Sequence, residues 1–200
     1  MNKIWDLRYG GAEYIYGKEP NQWVEKCLSE LKPGKILLPA DGEGRNGVWA
    51  ARIGWEVYAF DMSERAQTKV LALAKEFNVV VDYRLGDATL IEYPTGSFDA
   101  IAVVFLHLPE EIRQVVFKRL ITFLKPGGHL IVEAFTKRHF GNTGAGPKDI
   151  TLLYDPEQIK EDLMGMDLKW FEESEYLIDE GPNHQGKAIS LKVLAQKADR

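Results

Sequence analysis

Between residues 24 and 135 the apolar positions alternate between short runs and helical stripes. Val24, Leu28 and Leu31 recur at helical spacing and are closed by Lys32-Pro33-Gly34. Ile36-Leu37-Leu38 is a strand-like run. It leads through a glycine-rich turn and a helix-like segment to a second run, Val57 to Phe60, that ends in Asp61. Ser63 can cap a helix that carries Ala66, Val70, Leu73, Ala74 and Phe77. Val79 to Tyr83 reads as a strand ending at Leu85-Gly86-Asp87, and Phe98 to Phe105 as a strand covered on both faces. Pro109 starts a helix with Ile112, Val115, Val116, Leu120 and Phe123 on one stripe, and Lys125-Pro126-Gly127-Gly128 stops it before the strand Leu130 to Phe135. This alternation predicts an α/β protein with a doubly wound, mostly parallel, Rossmann-like sheet.

Residues 137–149 read as a loop at the carboxyl edge of that sheet, where open α/β folds bind ligands. Asp155 and Pro156 open a further helix, with Gln158 reaching back to its start. The strands Leu168 to Leu177 and Ala188 to Gln196 are joined by the turn-forming stretch 179–187 and should pair as an antiparallel hairpin. The second strand puts Ile189, Leu191, Val193 and Ala195 on one face. No repeat or internal boundary interrupts the chain, so residues 1–200 read as a single domain. Residues 1–23 carry Trp5, Tyr9, Tyr14, Tyr16 and Trp23 among glycines. These rings either cover one edge of the domain or form a flap over a cationic ligand.

Composition narrows the function. A hydrophobic content of 45% and a charged content of 28% are those of an ordinary globular protein. A net charge of −5 without a Lys/Arg stripe disfavours nucleic acid as the partner. Cys27, the one cysteine, excludes a disulfide framework and a Cys-rich metal site, and nothing has metal-ligand spacing. The absence of a membrane-length apolar run or a signal-like start leads us to expect a cytoplasmic protein.

The turn spells G-x-G-x-x-G over Gly42, Gly44 and Gly47, with Asp61 at the distance a ribose-binding acid takes in a dinucleotide site. A nicotinamide-dependent oxidoreductase is therefore one reading. Asp41 and Glu43, however, stand where a pyrophosphate would sit, and a phosphate-free sulfonium fits such a turn better. The order of elements resembles the class I S-adenosylmethionine-dependent methyltransferases, and within them the small bacterial enzymes related to the tellurite-resistance and thiopurine methyltransferases. The residues behind that likeness are Trp5-Asp6-x-Arg8-Tyr9, Tyr16-Gly17-x-x-Pro20-Asn21, Asp41 to Asn46, His107-Leu108-Pro109, Gly146-Pro147-Lys148-Asp149 and Asp179-Glu180-Gly181-Pro182-x-His184-Gln185-Gly186.

The resemblance implies a seven-stranded sheet with a terminal antiparallel hairpin, S-adenosyl-L-methionine as cofactor and a small-molecule acceptor. It assigns Ala40, Asp41, Gly42, Glu43, Gly44 and Asn46 to the cofactor cradle, Asp61 to the ribose, Met62, Asp87 and Ala88 to the adenine, and Tyr16 and Phe105 to the sulfonium side. Leu38 and Ala40 depart from the acid and glycine usual there, which leaves a cofactor-binding protein without catalysis as a further alternative. Gly47 is expected to pack against a helix. His107 and His184 are the candidate bases for an acceptor that must lose a proton. Glu133 is a candidate because an acid within an apolar strand needs a partner. Arg113 reads as a solvated helix position.

Overall fold

A computed structural model describes residues 2–142 and 145–199. Of the loop 137–149, Thr143 and Gly144 lie outside the described residues, as do Met1 and Arg200. The elements are α1 (Asn2–Arg8), α2 (Gln22–Glu30), β1 (Lys35–Pro39), α3 (Arg45–Arg52), β2 (Glu56–Asp61), α4 (Glu64–Glu76), β3 (Val81–Leu85), β4 (Phe98–Val104), α5 (Glu110–Phe123), β5 (Leu124–Phe135), α6 (Pro156–Asp162), β6 (Met166–Asp179) and β7 (Gln185–Lys197). The seven strands form one sheet in the order β3-β2-β1-β4-β5-β7-β6. The first five are parallel, and β7 pairs antiparallel with both β5 and β6. Strand order reverses between β1 and β4, which places a ligand crevice at their carboxyl ends.

Alternate residues of the central strands feed two cores. Ile36, Leu38, Ala100 and Ala102 pack with Val24, Leu28, Val48 and Val70 from α2, α3 and α4. Leu37, Ile101 and Val103 pack with Val116, Phe117, Leu120 and Ile159 from α5 and α6. The two-sided burial explains why these strands read as unbroken apolar runs. Ser63 caps α4 by accepting from the Ala66 amide at 3.2 Å, and the inward row Ile189, Leu191, Val193 and Ala195 is buried as expected.

Several expectations need correction. On α5, Ile112 and Val115 are exposed, and Arg113 and Phe117 take their places inside. Arg113 pairs with Asp162 of α6 at 2.7 Å and lies over the ring of Tyr154, which makes a buried charge tolerable. Gln158 donates to Glu110 instead of closing its own helix end. β3 begins two residues later than the pattern suggests, because Val79 and Val80 are still leaving α4. The β6–β7 turn is only residues 180–184, shorter than its polar composition suggests. Among the described residues, no helix is long and apolar enough to cross a membrane, and no group of His, Cys, Asp and Glu is arranged to hold a metal ion.

Candidate active site

β1 leaves the sheet through three left-handed residues, Ala40 at φ 53°, Gly42 at φ 55° and Gly44 at φ 86°. The chain reverses tightly enough that Asp41 folds back under the start of α3. Its Oδ2 accepts from the Gly47 amide at 3.1 Å, and a Cβ on Gly47 would stand 2.6 Å from that oxygen. Gly47 thus makes room for the Asp41 carboxylate, and helix packing falls to Gly44, whose Cβ would meet Val70 of α4 at 2.6 Å. Asp61, at the tip of β2, accepts from the amides of Gly42 and Ser63, each at 3.1 Å. Two amides facing the place of a pyrophosphate, those of Gly42 and Gly47, are therefore held by the protein's own carboxylates, which argues against the dinucleotide reading. Burial pushes the Asp41 carboxyl up to about 8 and raises that of Asp61. Asp41 Oδ1 is buried with no partner among the described residues.

The side chains of Glu43 and Asn46 are taken up by partners within the protein. Glu43 is buried, accepts from the Ile15 amide at 2.8 Å and pairs with Lys69 of α4 at 2.5 Å. Asn46 accepts from the Asn21 amide at 2.8 Å. Both hold the N-terminal segment across the turn, leaving only their main chains for a cofactor. Tyr9 packs directly on Gly42, where a Cβ would stand 2.7 Å from its hydroxyl. Asp6 accepts from the Ser63 hydroxyl at 2.5 Å. Trp23 turns inward instead, and its indole donates to the Val193 carbonyl at 3.2 Å. Beside Asp6 opens a cleft of about 440 Å³ lined also by Met62, Glu64, Leu85, Gly86 and Asp87. Asp87 uses Oδ1 to hold the Thr89 amide and hydroxyl, at 2.8 and 2.7 Å. The Ala88 side chain belongs to the core on the α5 face, so it too has only main chain to offer.

At the tip of β4, Phe105 is left-handed at φ 50° and donates its amide to the Glu133 carbonyl at 2.7 Å. Its ring stacks on Phe135 at 4.6 Å, and the His184 ring stands edgewise to both, at 4.6 and 5.4 Å. Tyr16 closes this aromatic wall 5.2 Å from His184. The expected base His107 is fully engaged. Nε2 accepts from the Phe135 amide at 3.4 Å, so Nδ1 carries the hydrogen and donates to the Leu152 carbonyl at 2.9 Å. Burial lowers its pKa to about 4, so the ring is neutral and fastens the loop after β4. His139 is engaged in the same way by Ile189 and Ala145. His184 Nδ1 meets Glu180 Oε2 at 3.0 Å, and Arg45 reaches the same oxygen at 2.7 Å.

Glu133 is a buried anchor whose carboxylate accepts from Asn21 Nδ2, Tyr176 and Ser190, each at 2.7 Å. Sequence reasoning passed over Tyr9, Asn21, Arg45 and Glu180 as individual groups. The one local signal was the spacing Glu180 to His184, four residues apart across a glycine turn.

The reversed strand order and the terminal antiparallel hairpin give this chain the α/β fold of the S-adenosylmethionine-dependent methyltransferases. Residues 36–128 match the family described as a methyltransferase domain. The chain is 31% identical, over 66% of its own length and 54% of the relative's, to a ubiquinone/menaquinone biosynthesis C-methyltransferase of Chromobacterium violaceum. It is 32% identical, over 54% of its length and 45% of the relative's, to a demethylmenaquinone methyltransferase of Renibacterium salmoninarum. The chain thus spans about half the length of these curated relatives. Among solved structures, one concerning conversion of a disulfide bond into a thioacetal during echinomycin biosynthesis is similar over 100% of this chain and 93% of the other, with a TM-score of 0.81 at 14% identity. TehB of Haemophilus influenzae is similar over 98% of this chain and 66% of the other, with a TM-score of 0.73 at 18% identity.

The donor set fits S-adenosylmethionine. An acid-lined cleft suits a ligand without phosphate, and a buried carboxylate oxygen lacking a partner suits one that carries positive charge.

Proposed function

We propose that this chain transfers the methyl group of S-adenosylmethionine to a small-molecule acceptor. The observation that supports it most directly is the turn in which Asp61 holds the Gly42 amide and Asp41 the Gly47 amide at the start of α3, beside an acid-lined cleft and an aromatic wall. The cofactor supplies an electrophilic methyl group on a sulfonium. Asp61 holds the ribose hydroxyls, Met62 and Asp87 border the adenine, and the main chain from Ala40 to Asn46 cradles the remainder. Asp41 offers its unpartnered oxygen to the ammonium end, taking over from the acid that Leu38 replaces; Leu38 itself is buried in the core. Phe105 and Tyr16 exclude water beside the sulfonium and place aromatic faces near its charge.

A small acceptor agrees with the net charge of −5 and with relatives named for quinone and phosphoethanolamine methylation. His184 is the group we assign to proton removal, because His107 has no free nitrogen. Isothermal calorimetry with S-adenosylmethionine and with its demethylated product tests the reading. Micromolar binding of both is expected, and no binding at millimolar concentration overturns it. Binding without transfer across a broad acceptor panel would mark a cofactor-binding protein instead.

A further inference from the structure

We propose that Glu180, backed by Arg45, is a positioning residue that sets His184 as a general base for a neutral protic acceptor, a thiol or a hydroxyl. The inference rests on the methyltransferase reading above. An ionised carboxylate can only accept, so His184 Nδ1 must carry the hydrogen it shares with Glu180 at 3.0 Å. The lone pair is then on Nε2, which makes no hydrogen bond among the described residues. The neighbouring rings differ in this respect. His107 and His139 have both nitrogens bound to main chain or to Asn142, so His184 alone of the three offers a lone pair.

Arg45 holds the same Glu180 oxygen at 2.7 Å and its second nitrogen reaches the Tyr16 carbonyl at 3.3 Å, while Asn21 Nδ2 donates to the other Glu180 oxygen at 3.0 Å. Burial raises the Glu180 carboxyl, but the bonds from His184 and Arg45 outweigh it and hold the group below the usual range. His184 is only 4% exposed, among Tyr16, Phe105 and Phe135. The titratable and charged groups facing it are Glu180 on its own hairpin, Arg45 of α3, Tyr16 of the N-terminal segment, and the neutral His107 and His139. Arg45 is neutralised by Glu180, and Arg8 is engaged at the rim by the Tyr16 hydroxyl at 3.1 Å. The guanidinium behind His184 is thus already matched by Glu180, and an uncharged X–H group fits against Nε2. As X attacks the methyl carbon, the X–C bond forms and the C–S bond breaks with its electron pair going to sulfur. The proton of X passes to Nε2, and the resulting imidazolium rests against Glu180.

The test compares a small thiol with a thioether of the same size, which has no proton to lose, at saturating S-adenosylmethionine. Glu180→Gln should lower kcat/KM for the thiol about 10-fold and His184→Asn about 100-fold, with changes under about 3-fold for the thioether. The thiol deficit should close above the thiol's own pKa, where the thiolate forms unaided. Nitrogen-15 NMR of the free protein should show the His184 ring as the Nδ1–H form, mixing with the other tautomer in Glu180→Gln. An Nε2–H ring in the unaltered protein, or equal losses on both acceptors, overturns the inference. If neither acceptor is methylated, the tautomer decides it. Failure of S-adenosylmethionine to bind would remove the methyltransferase reading while leaving the tautomer result intact.

Discussion

Ala40 occupies the left-handed region at φ 53°, a conformation that costs an L-residue with a Cβ about 1–2 kcal/mol. Glycine would relieve that strain but lose chain entropy, so Ala40→Gly should raise unfolding stability by roughly 0.5–1 kcal/mol in urea titrations. Its neighbour Asp41 sets a pH dependence. Its folded pKa, about 8, lies above the usual carboxylate value of 3.8, so the folded state keeps a proton that the unfolded chain releases. That contribution is complete below about pH 4 and is lost as pH rises through 8. His107 acts in the opposite sense: folded at about 4 against an ordinary 6.5, it favours the fold above 6.5 and withdraws that support as pH falls through 4. The two groups offset each other below about pH 6.5, so scanning fluorimetry of the cofactor-free protein from pH 4 to 9 should show melting temperature falling mainly between about 6.5 and 8, and Asp41→Asn should remove that fall and uncover a rise from pH 4 to 6.5. The departure at Leu38 and Ala40 was legible from the motif. The seating of Asp41 against Gly47 was not, because a carboxylate six residues before a glycine meets it only once the turn has closed.

The N-terminal segment, the glycine turn and the β6–β7 hairpin interlock. Ile15 gives its amide to Glu43 and takes the Asn183 amide on its carbonyl, while Gly17 and Gly181 touch backbone to backbone. A Cβ on Gly181 would lie 2.4 Å from the Gly17 nitrogen, at a residue already at φ 87°. Gly181→Ala should therefore pry the segment loose, weakening S-adenosylmethionine binding several-fold by calorimetry and speeding tryptic cleavage after Lys18. The melting temperature of the rest should barely move. The aromatic composition of residues 1–23 suggested a cover but not its fastening, since Glu43 and Asn46 looked like ligand residues in the motif. α1 escaped notice for a related reason: seven residues make too short a helix to declare itself without the surface it docks on. On α5 the apolar period pointed to Ile112 and Val115, and only the position of Asp162 on α6 explains why Arg113 turned inward instead.

The sheet as a whole was readable because runs and stripes alternate over more than a hundred residues; the order of its strands was not, since the pattern does not say which strand lies beside which. Cofactor binding should register on this entire assembly. S-adenosylmethionine at 100 times its Kd adds about 2.7 kcal/mol to the folded state, which for a domain of this size raises Tm by roughly 5–10 °C in a thermal scan. The placement of β7 carries a consequence for biosynthesis. β6 touches the sheet only through β7, which is translated after it. Until residues 185–197 have left the ribosome, β6 has no berth and β5 presents an open edge. The turn bearing Glu180 and His184 is then among the final pieces to be seated, so a prematurely terminated chain could assemble the cofactor half while lacking the group assigned to take the proton.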